Sequence, residues 1–339
     1  MFIDILIPTY NRCFLLENVV ENVLKQTYQY INIIIADNNS TDNTEKIGKN
    51  LSKIYDNVFY FKNPENLGVY GNYDYSLQNY CKSDYVLILS DDDFFIDYDY
   101  IKEAVKYIKK YDLEWIGAGH NIININANNM KSFKRKEFFL GNGLEFLKEH
   151  KFGLDNFSWF SVIFNRKEAV KYKFNLYNLY NADYLPIFSM NFNKRRMILN
   201  KIVGVYTINS FQVNNKTDID FIMNGYKLYY FIKKYTNYDE NIFIINVKNY
   251  ICAAFKNAMD KAVFNNLEFE DGRWFNFFKE LENNKFYPFF DEVTDDRYLL
   301  FKKDKQEFKQ KRIKEIRKSM NEVIDDKIKK YIESFNEKN

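Results

Sequence analysis

The chain is poor in the residues that build the commonest metal sites and nucleophilic sites. Its 339 residues include only two histidines and three cysteines, and Cys13, Cys81 and Cys252 show no C-x-x-C spacing. Such a set disfavours a disulfide framework and a structural zinc site, and it indicates a reducing compartment. With His120 and His150 as the two imidazoles, a histidine metal site or a Ser-His-Asp triad is poorly supplied.

Long apolar runs and a strong net charge are also missing. No uninterrupted apolar run reaches about 18 residues, so we expect no membrane-spanning helix, and the N-terminus lacks the basic start of a signal peptide. The net charge is only +3, which gives no reason to expect a nucleic-acid partner. The sequence therefore predicts a cytoplasmic protein, either soluble or peripheral on the inner face of the cytoplasmic membrane.

The first part of the chain alternates between strand patterns and helix patterns. Strands are predicted over residues 2–8, 31–36, 58–61 and 85–89, and helices over 14–26, 43–54, 70–81 and 98–111. Further strands are predicted over 115–123, 157–164 and 202–208, helices from 166 and over 184–192, and a loop or mobile hairpin over 124–142. Because each early crossover is long enough for a helix, we predict a mostly parallel, Rossmann-like sheet with helices on both faces.

The pattern changes near residue 219, where long helical periodicities begin. We therefore divide the chain into an α/β domain, 1–215, and a helical C-terminal region, 216–339. Apolar residues recur every three or four positions from Phe308 to Phe335, and residues 302–318 hold nine Lys or Arg against three acids. This basic amphipathic helix either packs on its own protein, lies on anionic lipid headgroups through 302–335, or forms a homo-oligomer contact.

Three adjacent acids follow the fourth predicted strand. The apolar run 85–89 leads directly into Ser90-Asp91-Asp92-Asp93, and ligands bind at the carboxyl ends of such strands in open α/β sheets. Adjacent carboxylates repel one another unless they are solvated, protonated or bound to a cation. Mg²⁺ or Mn²⁺, which prefer oxygen ligands and accompany phosphates, would suit them. The alternative is a solvated acidic turn that caps the next helix.

Polar loops also follow the first three strands, so four such loops meet at one edge of the predicted sheet. The three loops are Pro8-Thr9-Tyr10-Asn11-Arg12, Asp37-Asn38-Asn39-Ser40-Thr41-Asp42 and Asn66-Leu67-Gly68-Val69-Tyr70-Gly71-Asn72. The sequence contains no G-x-G-x-x-G after the first strand and no G-x-x-x-x-G-K-[ST]. A bound pyrophosphate would therefore be neutralised by a cation held on the acids.

These four motifs, in this order and spacing, resemble those of family 2 glycosyltransferases of the GT-A fold, which build bacterial surface polysaccharides and glycans. The resemblance covers residues 1 to about 210 and assigns residues 1–215 to nucleotide-sugar binding and catalysis. It implies contacts with the nucleotide from Pro8, Tyr10, Arg12, Asp37, Asn66, Gly68 and Asn72. Tyr10 would lie against the base, and Asp37 would accept a hydrogen bond from it.

The same resemblance implies a D-x-D metal site for Mn²⁺ or Mg²⁺. Asp91 would contact the ribose or the metal, Asp93 would be the better metal ligand, and Asp92 would tolerate substitution. Ser90 stands where many relatives have an acid, so the register of the motif can also be read one residue differently.

The resemblance also implies a carboxylate base beside the acceptor. Asp183, in Asn181-Ala182-Asp183-Tyr184, is the candidate, although Ala182 replaces the usual preceding acid. Asp183 could instead be a helix N-cap, and Asp155 is the reserve candidate. The late Tyr-Arg-x-His element has only Tyr206-Thr207-Ile208-Asn209 as its counterpart. Trp159 and Phe160 are either core residues or stacking partners for a sugar ring.

Three functions follow from these residues. The first is a metal-dependent inverting glycosyltransferase that moves a hexose-type sugar from a nucleotide-diphosphate donor to a glycan acceptor. This hypothesis includes the case in which the acceptor is lipid-linked. The second is a catalytically silent GT-A module that scaffolds a glycan-assembly complex. The third, a nucleotidyltransferase, is disfavoured because the first strand lacks a Gly-rich loop.

Overall fold

The computed structural model describes most of residues 1–208 and only a few residues beyond them. The described residues are 1–124, 129–133, 139–142, 158–172 and 195–208, with 259, 300, 303–304, 306–311 and 314 in the C-terminal part. The chain divides into two compact units, Met1–Asn178 with Ala182–Asn209 and Leu179–Asn181 with Ser210–Asn339. The predicted boundary between residues 215 and 216 lies outside the described residues and stays a prediction.

Strands and helices alternate through the first half of the first unit. They are β1 (Ile3–Thr9), α1 (Cys13–Leu24), β2 (Ile31–Asp37), α2 (Thr44–Ile54), β3 (Val58–Lys62), α3 (Gly68–Asn79) and β4 (Tyr85–Ile88). β1 pairs in parallel with β2 and β4, and β2 pairs in parallel with β3. In this register Thr9 is opposite Asp37, which is opposite Lys62. The carboxyl ends of these strands are therefore level at one edge of the sheet.

The second half of this unit extends the sheet. Its elements are β5 (Phe94–Phe95), α4 (Tyr100–Tyr111), β6 (Trp115–Asn124), β7 (Asn129–Phe133), β8 (Phe139–Asn142), a 3₁₀ turn (Trp159–Ser161), β9 (Val162–Asn165), α5 (Arg166–Tyr172) and β10 (Arg195–Ile208). The described strands form one sheet of order β3-β2-β1-β4-β9-β6-β10-β5, with β7 beside β6 and β8 beside β10. β9 runs antiparallel between β4 and β6. The predicted α/β fold with a largely parallel central sheet is confirmed.

Helices cover both faces of the sheet. On one face, alternate residues of β1, such as Ile5 and Ile7, pack with apolar residues of α1, α2 and α4 in one buried cluster. On the other face α3 packs against β1, and its Tyr73 and Leu77 are buried. Because both faces are covered, β1 is apolar and buried along nearly its whole length, as parallel strands in such folds are.

A buried carboxylate anchors the amino-terminal end of β1. Asp4 accepts hydrogen bonds from the backbone amides of Lys82 and Ser83 at 2.6 and 2.8 Å, from the Ser83 hydroxyl, and from the Asn32 side chain at 2.9 Å. Each of these donors satisfies a lone pair of the buried group. The turn before β4 is thereby tied to β1 at the end of the sheet opposite the polar loops.

Two predicted segments differ in the structure, and a third is not described by it. Residues 129–133 and 139–142, within the predicted loop or hairpin, form the edge strands β7 and β8, whose short sequences do not alternate between apolar and polar residues. Trp159 lies in a 3₁₀ turn before β9 rather than in a strand. The helix predicted over 184–192 lies outside the described residues.

The described residues of the second unit include the start of a helix. Residues 306–311 are helical, and the Asp304 carboxylate accepts hydrogen bonds from the amides of Gln306 and Glu307 at 2.9 and 3.0 Å, which makes it an N-cap. Phe308 is 4% exposed, as the predicted apolar face requires. Within the described residues, no helix combines the length and apolar character needed to cross a membrane.

Candidate functional site

Backbone hydrogen bonds bring the four polar loops together at the carboxyl edge of the sheet. The Asn38 amide donates to the Thr9 carbonyl at 2.9 Å, and the Asn63 amide donates to the Asp37 carbonyl at 2.8 Å. On the other side of β1, the Leu89 amide donates to the Leu6 carbonyl at 2.9 Å. The loop after β1 therefore lies between the loop after β2 and the acidic segment after β4.

The acidic segment is a tight turn whose first carboxylate is bound from β1 and the loop after it. The Asp93 amide donates to the Ser90 carbonyl at 3.1 Å. Asp91 accepts a hydrogen bond at 2.8 Å from the Thr9 hydroxyl on Oδ2 and one at 2.7 Å from Arg12 Nη1 on Oδ1. The same Nη1 lies 3.4 Å from Asp92 Oδ2. Arg12 therefore pairs with two of the three adjacent acids.

The third carboxylate is held from the far side of the sheet. Asp93 is 4% exposed, and its Oδ1 accepts a hydrogen bond at 2.9 Å from the backbone amide of Thr207 in β10. The sequence pattern gave no indication of this contact, because the donor is a backbone group and the two residues are far apart in the chain. Thr207 belongs to Tyr206-Thr207-Ile208-Asn209, the predicted counterpart of the Tyr-Arg-x-His element.

Burial and mutual repulsion make this turn electrostatically unfavourable when all three acids are ionised. Burial raises the pKa of Asp91 to about 6; Arg12 acts against the shift, and Asp92 adds to it. Burial also raises the pKa of Asp93 well above its usual value, and the charge of Asp92 raises it further. Like-charge pairs removed from water hold their protons more tightly in this way. Additional positive charge beside the turn would restore the ionised form.

The donor set fits a divalent cation that is shared with a phosphate. The acids supply the carboxylate oxygens that Mg²⁺ and Mn²⁺ prefer, and burial raises the pKa values of Asp91 and Asp93 despite the nearby guanidinium of Arg12. Among the described residues, no group of three or more His, Cys, Asp or Glu is arranged to hold a metal ion by itself. One or two carboxylates completed by substrate phosphates are a common arrangement for Mg²⁺.

The loop after β1 is held by the loop after β2. Asn11 has a left-handed backbone with φ of 52°, a conformation that asparagine tolerates. Its amide donates to the Ser40 hydroxyl at 2.9 Å, and its side-chain oxygen accepts from the Thr41 amide at 2.8 Å. Tyr10, directly before it, is 43% exposed. Pro8 is partly buried, so Tyr10 presents the accessible ring of this loop.

Asp37 lies beneath this surface rather than on it. It is 0% exposed; its Oδ1 accepts from the Ser40 amide at 2.8 Å and its Oδ2 accepts from the Tyr60 hydroxyl at 2.5 Å. In the structure Asp37 therefore orients Ser40, which in turn holds Asn11. The predicted hydrogen bond between Asp37 and a nucleotide base stays a prediction.

Three other predicted residues are joined by an asparagine that the sequence analysis did not single out. Asn38 donates to the Asn66 side-chain oxygen at 2.8 Å and to the Gly68 carbonyl at 3.2 Å, and it accepts from Asn63 at 3.1 Å. Asn63 also donates to the buried Asn72 at 2.8 Å. Gly68 has φ of 70° and open space at its Cβ position, so glycine is favoured here by the left-handed backbone of the turn and not by a lack of room for a side chain. Asn66 and Gly68 are exposed, whereas Asn72 faces inward.

The remaining candidates lie elsewhere. Asp183 and Asp155 are outside the described residues, and their roles stay predictions. Trp159 and Phe160 are both buried, and Phe160 belongs to the apolar cluster on the face of α1 and α4. The core interpretation therefore applies to this pair rather than stacking on a sugar.

A family model and curated sequences relate the chain to known proteins. The model described as "Glycosyl transferase family 2" matches residues 4–173, just over half of the 339 residues. The GalNAc(5)-diNAcBac-PP-undecaprenol beta-1,3-glucosyltransferase of Campylobacter jejuni is 34% identical over 92 residues, which are 27% of this chain and 29% of that protein. The chain thus spans less than a third of the length of this curated relative.

Solved structures share the fold at low sequence identity. The crystal structure of S. aureus TarS 1-349 in complex with UDP-GlcNAc has a TM-score of 0.61 at 16% identity, covering 83% of this chain and 80% of that one. The mannosyltransferase PcManGT from Pyrobaculum calidifontis in complex with GDP-Man and Mn²⁺ has a TM-score of 0.53 at 14% identity, covering 77% and 74%. These matches show a shared fold.

Proposed function

Since the chain belongs to glycosyl transferase family 2, we propose that it is a metal-dependent inverting glycosyltransferase. It transfers a hexose-type sugar from a nucleotide-diphosphate donor to a glycan acceptor. The observation that carries the proposal is the buried acid turn, where Arg12 lies 2.7 Å from Asp91 beside Thr9, and Asp93 is held by β10. A cation and a diphosphate would together balance the charge of this turn.

The described residues have distinct roles in donor binding under this proposal. The exposed ring of Tyr10 packs against the base, and Pro8 forms the adjacent wall. Arg12 contacts the diphosphate, because a guanidinium matches phosphate oxygens in geometry and charge. Asp91 and Asp93 would hold Mn²⁺ or Mg²⁺, which when bound stabilises the negative charge of the departing diphosphate.

The acceptor side depends on Asp183. As the general base, its carboxylate takes the proton of the acceptor hydroxyl while that oxygen attacks the anomeric carbon from the face opposite the nucleotide. The bond from the anomeric carbon to the diphosphate oxygen breaks as the glycosidic bond forms, so the configuration inverts.

We also propose a lipid-linked acceptor in bacterial surface-glycan synthesis. Two observations support this. The C. jejuni relative is named for a GalNAc(5)-diNAcBac-PP-undecaprenol substrate, and residues 302–318 hold nine basic residues against three acids. A basic amphipathic helix over 302–335 would place the enzyme on the inner face of the cytoplasmic membrane.

The donor class is tested by thermal unfolding of the full chain with UDP, GDP or dTDP, each with and without Mn²⁺. A ligand at 100 times its Kd adds about 2.7 kcal/mol to the free energy of unfolding, so the correct nucleotide with Mn²⁺ should raise Tm clearly. Mass spectrometry then measures release of the matching nucleotide from UDP-, GDP- and dTDP-sugars. If no nucleotide stabilises the protein and no sugar is transferred or hydrolysed, the proposed function is wrong.

A catalytically silent module is the second candidate. Ala182, in place of an acid, and Tyr206-Thr207-Ile208-Asn209, without Arg or His, favour it. Such a module would gain stability from nucleotide and Mn²⁺ but release no nucleotide from any donor, so the same two measurements separate the candidates.

A further inference from the structure

The acid turn has a positively charged side chain of its own. Arg12 Nη1 lies 2.7 Å from Asp91 Oδ1 and 3.4 Å from Asp92 Oδ2, and the Arg12 side chain is 19% exposed while those of Asp91 and Asp92 are 2% and 5% exposed. An ion pair this close and this buried is only weakly screened by salt. Arg12 therefore compensates part of the charge that would otherwise attract a metal ion.

Both oxygens of Asp91 have partners. The Thr9 hydroxyl donates to Oδ2 at 2.8 Å and Arg12 donates to Oδ1 at 2.7 Å, so a metal ion that binds Asp91 must compete with at least one of them. Thr9 is a buried residue of β1, and its hydroxyl has little freedom to leave. Arg12 lies in the loop between β1 and α1, and its long side chain reaches solvent. Arg12 is the partner that can move.

We propose that Arg12 is a resident counter-ion that couples metal binding to nucleotide binding. It weakens the binding of Mn²⁺ or Mg²⁺ to the free protein. The metal is admitted together with a nucleoside diphosphate, whose phosphate oxygens take over the guanidinium. This inference rests on the proposed function, because it assigns the diphosphate to the same site.

Charge balance explains why the two ligands would enter together. The turn contributes three carboxylates, and the guanidinium and a divalent ion together match their charge. Confined so closely, however, the two cations repel each other. A diphosphate supplies the additional negative charge, and its oxygens can bind the guanidinium in a bidentate manner. By thermodynamic linkage, the factor by which the nucleotide tightens metal binding equals the factor by which the metal tightens nucleotide binding.

The test measures Mn²⁺ binding to the full chain by electron paramagnetic resonance of free Mn²⁺, first alone and then with UDP, GDP or dTDP. For the wild-type protein we expect at least about tenfold tighter Mn²⁺ binding with the correct nucleotide, within the usual range of coupling between sites. In Arg12→Met, Mn²⁺ alone should bind about tenfold more tightly than to wild type, and the nucleotide should add little. Arg12→Lys, which keeps the charge, should retain weak binding of Mn²⁺ alone.

Arg195→Gln is the matched control, because Arg195 is exposed at the other end of β10 from Thr207. If this variant tightens Mn²⁺ binding as much as Arg12→Met does, the effect is one of net charge and the inference is wrong. It is also wrong if wild type binds Mn²⁺ equally well with and without nucleotide, or if Arg12→Met binds Mn²⁺ no more tightly than wild type.

Thermal unfolding with Mn²⁺ alone separates an effect on metal binding from an effect on folding. If Arg12→Met unfolds more readily without metal, the rise in its Tm on adding Mn²⁺ alone must exceed that of wild type, or the inference is overturned. If no nucleotide binds to the wild-type protein under any condition, the proposed function fails. The comparison of Mn²⁺ alone between wild type and Arg12→Met still tests whether Arg12 excludes the metal.

Discussion

At the scale of single residues, Asp93 has an environment poorly suited to a charge. It is buried beside Asp91 and Asp92, which raises its pKa well above the usual value, whereas an unfolded aspartate has a pKa of about 3.9. The folded protein therefore binds this proton more tightly than the unfolded chain does. This favours folding below the unfolded pKa and is lost as pH rises through the folded pKa. Asp91, with a pKa of about 6, acts in the same direction.

We accordingly expect Asp93→Asn to stabilise the metal-free protein at pH 8. The amide is neutral and of similar shape, and its oxygen can still accept the Thr207 amide. Its Tm should exceed that of wild type by a few degrees at pH 8, and the difference should disappear toward pH 4. The stabilisation that wild type gains from Mn²⁺ with nucleotide should be lost in this variant.

Thermal melts across pH, with EDTA present, check this expectation. Asp56→Asn, which changes an exposed acid, is the control and should shift Tm little at either pH. A lower Tm for Asp93→Asn than for wild type at pH 8 would show that the ionised carboxylate is already compensated in the metal-free protein.

Asp183→Asn tests the acceptor side. We expect transfer to fall by about 10²–10⁴-fold, the usual contribution of a general base, while the Tm increase caused by nucleotide and Mn²⁺ stays unchanged. Quantitative mass spectrometry of the glycan product measures the first effect, and thermal melts measure the second. Asp155→Asn is the comparison. Full activity in Asp183→Asn together with loss in Asp155→Asn would move the base to Asp155.

The sequence located the acid turn and Arg12 because both directly follow apolar strands, and parallel strands end at one edge. It did not identify the groups that hold these side chains. Thr207 binds Asp93 through its backbone amide, which no side-chain pattern reveals. Asn38 contacts Asn63, Asn66 and Gly68, which approach it only in the folded chain. The position of Asp37 after β2 likewise does not show that Tyr60 and Ser40 donate hydrogen bonds to its two oxygens.

At the scale of elements, α2 and β3 approach each other closely at a glycine. A Cβ atom at Gly48 would lie 2.2 Å from Cδ2 of Tyr60, and the Tyr60 hydroxyl is hydrogen-bonded to Asp37. Glycine in a helix interior is disfavoured by about 1 kcal/mol relative to alanine. Its presence here allows Tyr60 to reach beneath the site.

Gly48→Ala should therefore destabilise the protein, although the same change usually stabilises a helix. We expect a loss of about 1–3 kcal/mol in the free energy of unfolding, the usual cost of overpacking, measured by urea unfolding. Asn50→Ala, at an exposed position of α2, should be neutral or slightly stabilising. A gain in stability for Gly48→Ala would mean that Tyr60 moves aside freely.

Element types were predicted best where apolar periodicity is strong. Except for β5, which was not predicted, each strand and helix from β1 to α4 begins and ends within two residues of its predicted range. The edge strand β8 was missed because its partner β10 lies far along the chain. The edge strand β7 pairs with the strand just before it, β6, but its own residues do not alternate between apolar and polar. Two-residue β5 is likewise defined by its pairing with β10, which no local pattern encodes.

For the whole molecule, the proposed membrane contact predicts binding to anionic lipid. At low salt the full chain should sediment with vesicles that contain phosphatidylglycerol and remain free with phosphatidylcholine alone. It should dissociate at about 0.5 M NaCl, where the Debye length is only a few ångströms. Replacing the exposed Lys303, Lys311 and Lys314 with glutamine should weaken binding by up to about a hundredfold, since each basic residue near the surface contributes about 1 kcal/mol.

The control removes the same number of exposed lysines from the other unit. Lys102, Lys106 and Lys109 of α4 are changed to glutamine, and sedimentation should stay close to that of wild type. If the two triple variants lose lipid binding equally, the binding depends on total charge and not on residues 302–335. If the wild-type chain does not sediment with anionic vesicles, the membrane contact is wrong, and residues 302–335 pack on the protein or form an oligomer contact.

The ends of the sheet have a consequence for how this protein behaves at high concentration. Open strand edges can template the addition of further strands and so lead to polymerisation. The described sheet ends on β3, five residues long, and on two-residue β5, and its side branches end on β7 and β8, of five and four residues. The last residue of β3, Lys62, is paired with Glu45 of α2. Short edges, with a lysine in β3 and another in β7, give an approaching molecule little backbone to extend, so concentrated solutions should resist the growth of intermolecular β-structure.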